Sequence, residues 1–229
     1  MNRSSTDLQI LYEDNHLIAV NKRVGEIVQG DKTGDTPLSE IVAGFIAQRD
    51  NKPGAAFIGV PHRLDRPVSG VVIFAKTGKG LTRMNELFRD GLVDKIYWAV
   101  VEKLPPEPSA KLSHYLTRNE KLNRSFAYDV PVPDSKEAQL IYKHISSGDR
   151  YHLLEVKLLT GRHHQIRCQL SKIGSPIKGD LKYGARRSNP DGGISLHARS
   201  ARFIHPVSKN EVFIEAPPPD EKLWRDLTK

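Results

Sequence analysis

The sequence predicts an α+β fold, and three observations carry that prediction. Short apolar runs bounded by turn residues recur along the chain and read as strands. Only a few segments place apolar residues at helical spacing. Strands and helices do not alternate regularly, as a parallel βαβ array would require.

Taken in order, Leu8–Glu13 and Leu17–Lys22 are apolar runs parted by Asp14-Asn15, the pattern of a hairpin. Residues 1–7 are polar and expected to be disordered, leaving 8–229 as a single domain. Asp35-Thr36-Pro37 opens a helix, with a capping side chain followed by Pro at the first helical position. Leu38, Ile41, Val42, Phe45 and Ile46 give that helix one apolar stripe, and Asn51-Lys52-Pro53-Gly54 ends it. Val71–Ala75 has no polar alternation, which predicts a strand buried on both faces. Leu81, Met84, Leu87 and Phe88 mark a second amphipathic helix, stopped by Asp90-Gly91, and Tyr97–Val101 is the next strand. Residues 105–135 hold five of the fifteen prolines and little periodicity, so they read as a connecting excursion. Gln139–Ile145 and His152–Leu159 are strands; in the second, His152, Leu154, Val156 and Leu158 share one mainly apolar face. Thr160-Gly161 starts a helix on which Ile166, Leu170 and Ile173 fall together, and Gly174 stops it. Arg202–Ile204 and Val212–Glu215 are closing strands, and Asp220–Leu227 is a terminal helix.

The 229 residues suit one large domain or two small ones, and 38% hydrophobic content supports a core. No apolar run is long enough to span a membrane, and the N-terminus lacks the apolar stretch of a secretory signal. Cys168 is the single cysteine, which excludes an intrachain disulfide and a thiolate metal cluster; a reducing cytoplasm fits best. The net charge of +8 points to an anionic partner. The cations are scattered through structured segments, which suits a folded groove better than a disordered arm.

The most informative stretch is His62-Arg63-Leu64-Asp65-Arg66-Pro67-Val68-Ser69-Gly70. Asp65 lies among cations, on a Pro/Gly-rich loop at the mouth of the buried Val71–Ala75 strand. One reading makes it a turn aspartate that caps backbone amides and offsets Arg63 and Arg66. The other makes it a catalytic carboxylate kept ionised by arginines. Elsewhere the chain has no Gly-rich phosphate loop and no His-x-x-x-His pair. His163 and His164 are adjacent, and neighbours on a helix point about 100° apart, so a shared metal is not expected.

The His62-Arg63-Leu64-Asp65-x-x-x-Ser69-Gly70 stretch resembles the signature of the RluA-type pseudouridine synthases. Further blocks follow the family order. They are Asn21-Lys22-x-x-Gly25 (with Arg23 where Pro is usual), Lys95–Ala99, Thr160–Arg167, Gly179-Asp180-x-x-Tyr183-Gly184, and Leu196-His197-Ala198. The resemblance covers residues 8 to 217. It implies a mixed, mainly antiparallel sheet with a central cleft and packed helices, without the family's additional N-terminal RNA-binding domain. It also implies an isomerase that converts uridine in ribosomal or transfer RNA to pseudouridine, with no cofactor and no metal. Asp65 would be the nucleophile, Arg167 its ionic partner, and Tyr97 the ring that packs on the base and the candidate proton acceptor. On the binding side, Arg63 would fill the space left by the extruded nucleoside, Arg162 would contact phosphate, and Leu196 would pack beside the catalytic group. RNA is the expected partner, with no membrane and no obligate protein partner, so a monomer is expected. Two alternatives stand beside this. A non-catalytic RNA-binding or RNA-folding protein could use the same scaffold, but the three catalytic positions are filled. A glycoside hydrolase would need a second carboxylate near Asp65, and none is adjacent in sequence.

Overall fold

A computed structural model describes residues 8–229; the tail expected to be disordered, residues 1–7, lies outside the described residues. In chain order the elements are β1 (Ile10–Glu13), β2 (Leu17–Lys22), α1 (Leu38–Arg49), β3 (Ser69–Ala75), α2 (Gly78–Arg89), β4 (Asp94–Val101), β5 (Ser109–Asn119), β6 (Arg124–Tyr128), β7 (Lys136–Ser147), β8 (His152–Leu158), α3 (Gln165–Lys172), β9 (Leu196–Ile204), β10 (Glu211–Glu215) and α4 (Lys222–Leu227). A 3₁₀ turn covers Leu181–Tyr183. This is α+β, with sheet dominant and helices few. Among the described residues no helix is long and apolar enough to cross a membrane. The chain divides into two compact units. The first runs to Val93 and includes Arg199–Pro217; the second comprises Asp94–Ala198 and Pro218–Lys229.

In the first unit β1 and β2 form the expected antiparallel hairpin. Asp14 closes its turn by accepting from the amides of His16 and Leu17 at 2.7 and 2.8 Å. β2 then pairs antiparallel with β3, Leu17 opposite Ala75 and Lys22 opposite Gly70. Every residue of β3 is buried, as the unbroken apolar run predicts. Leu17, Ala19, Val71 and Ile73 pack with Met84 of α2 and with Phe203 and Ile214 from the antiparallel β9–β10 pair. β9 is longer than expected, beginning at Leu196. α2 starts where Thr77 Oγ1 accepts from the Gly80 amide at 3.0 Å, an ordinary side-chain cap.

The start of α1 differs from expectation. Pro37 is the N-cap residue and gives no side-chain cap, and Asp35 is engaged by Arg66 at 2.6 Å. The first helical amides are met by main chain instead, Leu38 donating to Ile27 O and Ser39 to Val28 O. Orphan N–H groups at a helix start need acceptors, and any carbonyl in reach satisfies them.

In the second unit five strands lie in the order β4-β8-β7-β5-β6, every neighbouring pair antiparallel. β5 and β6 replace the connecting excursion expected over 105–135. Pro105, Pro106 and Pro108 precede β5, and Pro131 and Pro133 follow β6. They bracket the strands and remove no ladder donor from within them. The alternation was present, with Leu112, His114 and Leu116 more covered than Lys111 and Ser113, but its outer face is polar throughout.

α3 begins at Gln165, not at Thr160. The Gln165 side chain draws residues 160–164 into a turn: Oε1 accepts from Thr160 Oγ1 at 2.8 Å and from the Arg162 amide at 2.9 Å, and Nε2 donates to Gln139 O at 3.0 Å. Cys168 of α3 packs with Leu116, Ala138 and Tyr183. α4 docks through Trp224 and Leu227 onto Val100 and Leu153.

Candidate active site

Asp65 and Arg63 sit on the loop that precedes β3. Asp65 is half-buried and Arg63 is exposed. The loop is folded by its own backbone: Val68 N donates to Asp65 O at 3.0 Å, and Gly25 N donates to Arg66 O at 2.9 Å. Its stem is fixed by His62, whose Nε2 accepts from the Ile73 amide at 2.9 Å while the ring stacks on Phe88. Gly70, at φ 115°, lets the chain turn from the loop into the strand, a conformation a side chain would strain.

Beneath the loop lies Lys22. It ends an apolar strand and is fully buried. Its ammonium donates to Arg23 O at 3.0 Å, Arg66 O at 3.1 Å and Val68 O at 2.6 Å. Burial pushes the amine down to about 7, while the charges of Glu26 and Asp65 pull it upward. Lys22 therefore pins two carbonyls that follow Asp65 in the loop, those of Arg66 and Val68. Arg66 faces elsewhere, bonding Thr33 Oγ1 at 2.7 Å and Asp35 at 2.6 Å.

The second unit holds Tyr97, Arg162, Arg167 and Leu196. Tyr97 is half-buried on β4, opposite Val156 of β8. Leu196 is buried at the start of β9. Arg162 is exposed, and its Nε donates to Glu137 O at 2.9 Å. Arg167, the third residue of α3, is only 5% exposed. Asp180 grips its guanidinium with both oxygens, at 2.7 and 2.9 Å. The Tyr183 ring lies against it, 5.1 Å from centroid to guanidinium carbon. Tyr183 is itself held: its hydroxyl accepts from the Ser125 amide at 2.8 Å and meets His164 Nδ1 at 2.9 Å. Burial pushes the phenol up to about 12, so it stays protonated at neutral pH.

His164 takes a left-handed conformation, φ 51°. The His163 and His164 rings consequently stack with centroids 3.7 Å apart, where a continuous helix would have splayed them. Both rings are spent on neighbours: His163 meets Ser125 Oγ at 2.9 Å and Asn123 Oδ1 at 3.1 Å.

Neither Lys22 nor Asp180 is among the candidate site residues that the sequence offers. Lys22 carried a signal, a lone cation closing an apolar strand. Asp180 lay within the Gly179-Asp180-x-x-Tyr183-Gly184 block, but its grip on Arg167 crosses a turn that spacing does not reveal. A buried Arg does require an acid, as expected, and within this unit Asp180 provides one.

A family model described as RNA pseudouridylate synthase matches residues 16–172. The chain is 34% identical over 224 residues to ribosomal large subunit pseudouridine synthase C of Buchnera aphidicola, covering 93% of this chain and 68% of that protein. It is 29% identical over 239 residues to tRNA pseudouridine synthase C of Vibrio vulnificus, covering 96% of this chain and 94% of that one. The chain thus spans about two thirds of the length of the ribosomal relatives, 65% for the Vibrio vulnificus protein. The human RNA pseudouridylate synthase domain containing 4 structure shares the fold, with a TM-score of 0.79 at 23% identity over 94% of this chain and 90% of that one.

The Lys22 arrangement has a pH signature. The amine titrates near 7 when folded, against its ordinary 10.5. Between those values the unfolded chain holds the proton and the folded chain releases it, so stability rises with pH. Urea unfolding is expected to show about 2 kcal/mol more stability at about pH 9 than at about pH 7. Lys22→Met, similar in length, should flatten the rise; an unchanged rise in the variant would exclude Lys22 as its source.

Asp180→Ala is expected to cost about 3 kcal/mol or more in urea unfolding, because it breaks a buried ion pair. Adding Arg167→Met should recover most of that loss. A single-variant loss below about 1 kcal/mol would mean that the pair contributes as little as an exposed one.

Proposed function

The chain belongs to the RNA pseudouridylate synthase family, of the RluA type, and on that premise we propose that it isomerises specific uridines of ribosomal or transfer RNA to pseudouridine, with Asp65 as nucleophile and no cofactor. One observation carries the reading: a half-buried carboxylate stands on a loop whose carbonyls are pinned by a buried lysine. Asp65, Tyr97, Arg162 and Arg167 all fall within the matched span.

The reaction breaks the bond from C1′ to uracil N1, turns the base and joins C1′ to C5. N1 gains a proton and C5 loses one, so the composition is unchanged and no electron or phosphoryl donor enters. A carboxylate suits the task because it forms a covalent bond and later leaves. In this proposal Tyr97 packs its ring on the uracil and takes the C5 proton. Arg167, already oriented by the Asp180 fork, supplies a fixed positive charge. The target nucleoside must leave its stack, at a cost of a few kcal/mol; Arg63 occupies the vacated space, Arg162 meets phosphate and Leu196 contributes apolar packing. RNA is the one partner the reading requires.

Asp65→Asn tests the proposal, since the amide keeps the shape and loses the nucleophile. Tritium release from C5 of uridine in labelled cellular RNA is expected to fall below detection, with the thermal melt and RNA affinity close to wild type. Turnover retained by Asp65→Asn would overturn the assignment.

A further inference from the structure

The second unit contains a concave site of about 590 Å³, a size that accommodates a nucleotide. Four cations line it, Lys103, Arg150, Arg186 and Arg187, together with Tyr151 and Glu102. All four cations are exposed. Among the described residues none of these four side chains has a hydrogen bond or an ion pair. Several exposed arginines elsewhere are neutralised: Arg49 by Glu13, Arg89 by Asp90, Arg202 by Glu211, and Arg225 by Asp220. The single acid of the site, Glu102, accepts from the Arg186 amide at 3.3 and 3.4 Å, and so helps to shape the wall. Tyr151 is half-buried against the Val100, Leu153 and Trp224 cluster, with the Lys178 ammonium 5.5 Å from its ring centroid.

Four like charges round one hollow repel one another, and a polyanion relieves that repulsion while releasing its own counterions. Basic side chains beside an aromatic ring are what single-stranded RNA exploits, backbone on the cations and a base near the ring. The four cationic side chains reach solvent, as suits contact with a backbone more than with one particular base. We propose that this pocket is an anchor for the phosphodiester backbone of the substrate RNA, formed by the second unit alone. The proposal rests on the pseudouridine synthase reading and adds a binding site to it.

The test compares wild type with the double variant Arg150→Gln/Arg187→Gln, using a labelled single-stranded uridine oligonucleotide, uridine monophosphate and a long cellular RNA. The double variant is expected to bind the oligonucleotide about tenfold more weakly at moderate salt. Its plot of log affinity against log salt should be shallower by about 1.4 to 2, one step per lost phosphate contact. The melting temperature should be unchanged, and the paired-arginine control Arg89→Gln/Arg202→Gln should behave as wild type. On long RNA, KM should rise and kcat should hold. An unchanged affinity and salt slope in the double variant would overturn the proposal, as would salt-insensitive binding of uridine monophosphate that competes with the oligonucleotide. The two readings fail separately. If wild type forms no pseudouridine in any RNA while the double variant still loses affinity, the anchor stands and the catalytic assignment falls.

Discussion

The arrangement around Asp65 depends on a buried lysine amine finding acceptors. Lys22 is taken wholly out of water at the end of β2. A charge so placed is costly unless hydrogen bonds replace its hydration. Three carbonyls do so, and two of them, Arg66 O and Val68 O, belong to the loop that carries Asp65. The dependence runs both ways. The loop must present those carbonyls inward for Lys22 to be tolerated, and with them inward the backbone that follows Asp65 is held at Arg66 and Val68. The Gly25 amide on Arg66 O ties the same point to a second segment. A carboxylate that must meet a reacting atom gains more from such a fixed base than from a freely moving loop.

The second unit solves a similar problem with side chains instead of main chain. Arg167 is buried on α3 and held by both oxygens of Asp180. A fork-to-fork pair fixes the plane of the guanidinium as well as its position. Tyr183 covers it, and Tyr183 is held in turn by Ser125 and His164. A buried ion pair is weak evidence for net stability, since desolvation offsets most of the attraction. Orientation is the better account of why it is kept: Lys in place of Arg167 would carry the charge but present no plane to align.

The elements that were legible in the sequence are those whose signal is local. The unbroken apolar run of β3, the Asp14 turn of the first hairpin and the apolar stripe of α2 each sit within a dozen residues, and each appears where the pattern places it. The elements that were hidden depend on partners distant in sequence. β5 and β6 were obscured by prolines at their borders. The α3 start was displaced by the Gln165 side chain reaching back to Thr160 and to Gln139. Asp35 looked like a helix cap but is taken by Arg66. The candidate site divides in the same way: residue types alone single out the Asp65 loop but leave a turn aspartate and a catalytic carboxylate both open, and the contacts of Lys22 and Asp180 emerge only when the chain is folded.

Net charge shows the same division. A surplus of +8 is a property of the sequence and says that an anion would be attracted somewhere. Where it is attracted depends on which cations the fold leaves without acids. Exposed ion pairs contribute little to stability, but each one cancels a local field, and most exposed arginines of the first unit are cancelled in this way. In the second unit four cations, Lys103, Arg150, Arg186 and Arg187, line one hollow. A field confined to a hollow attracts a polyanion more strongly than the same charges spread over a convex face.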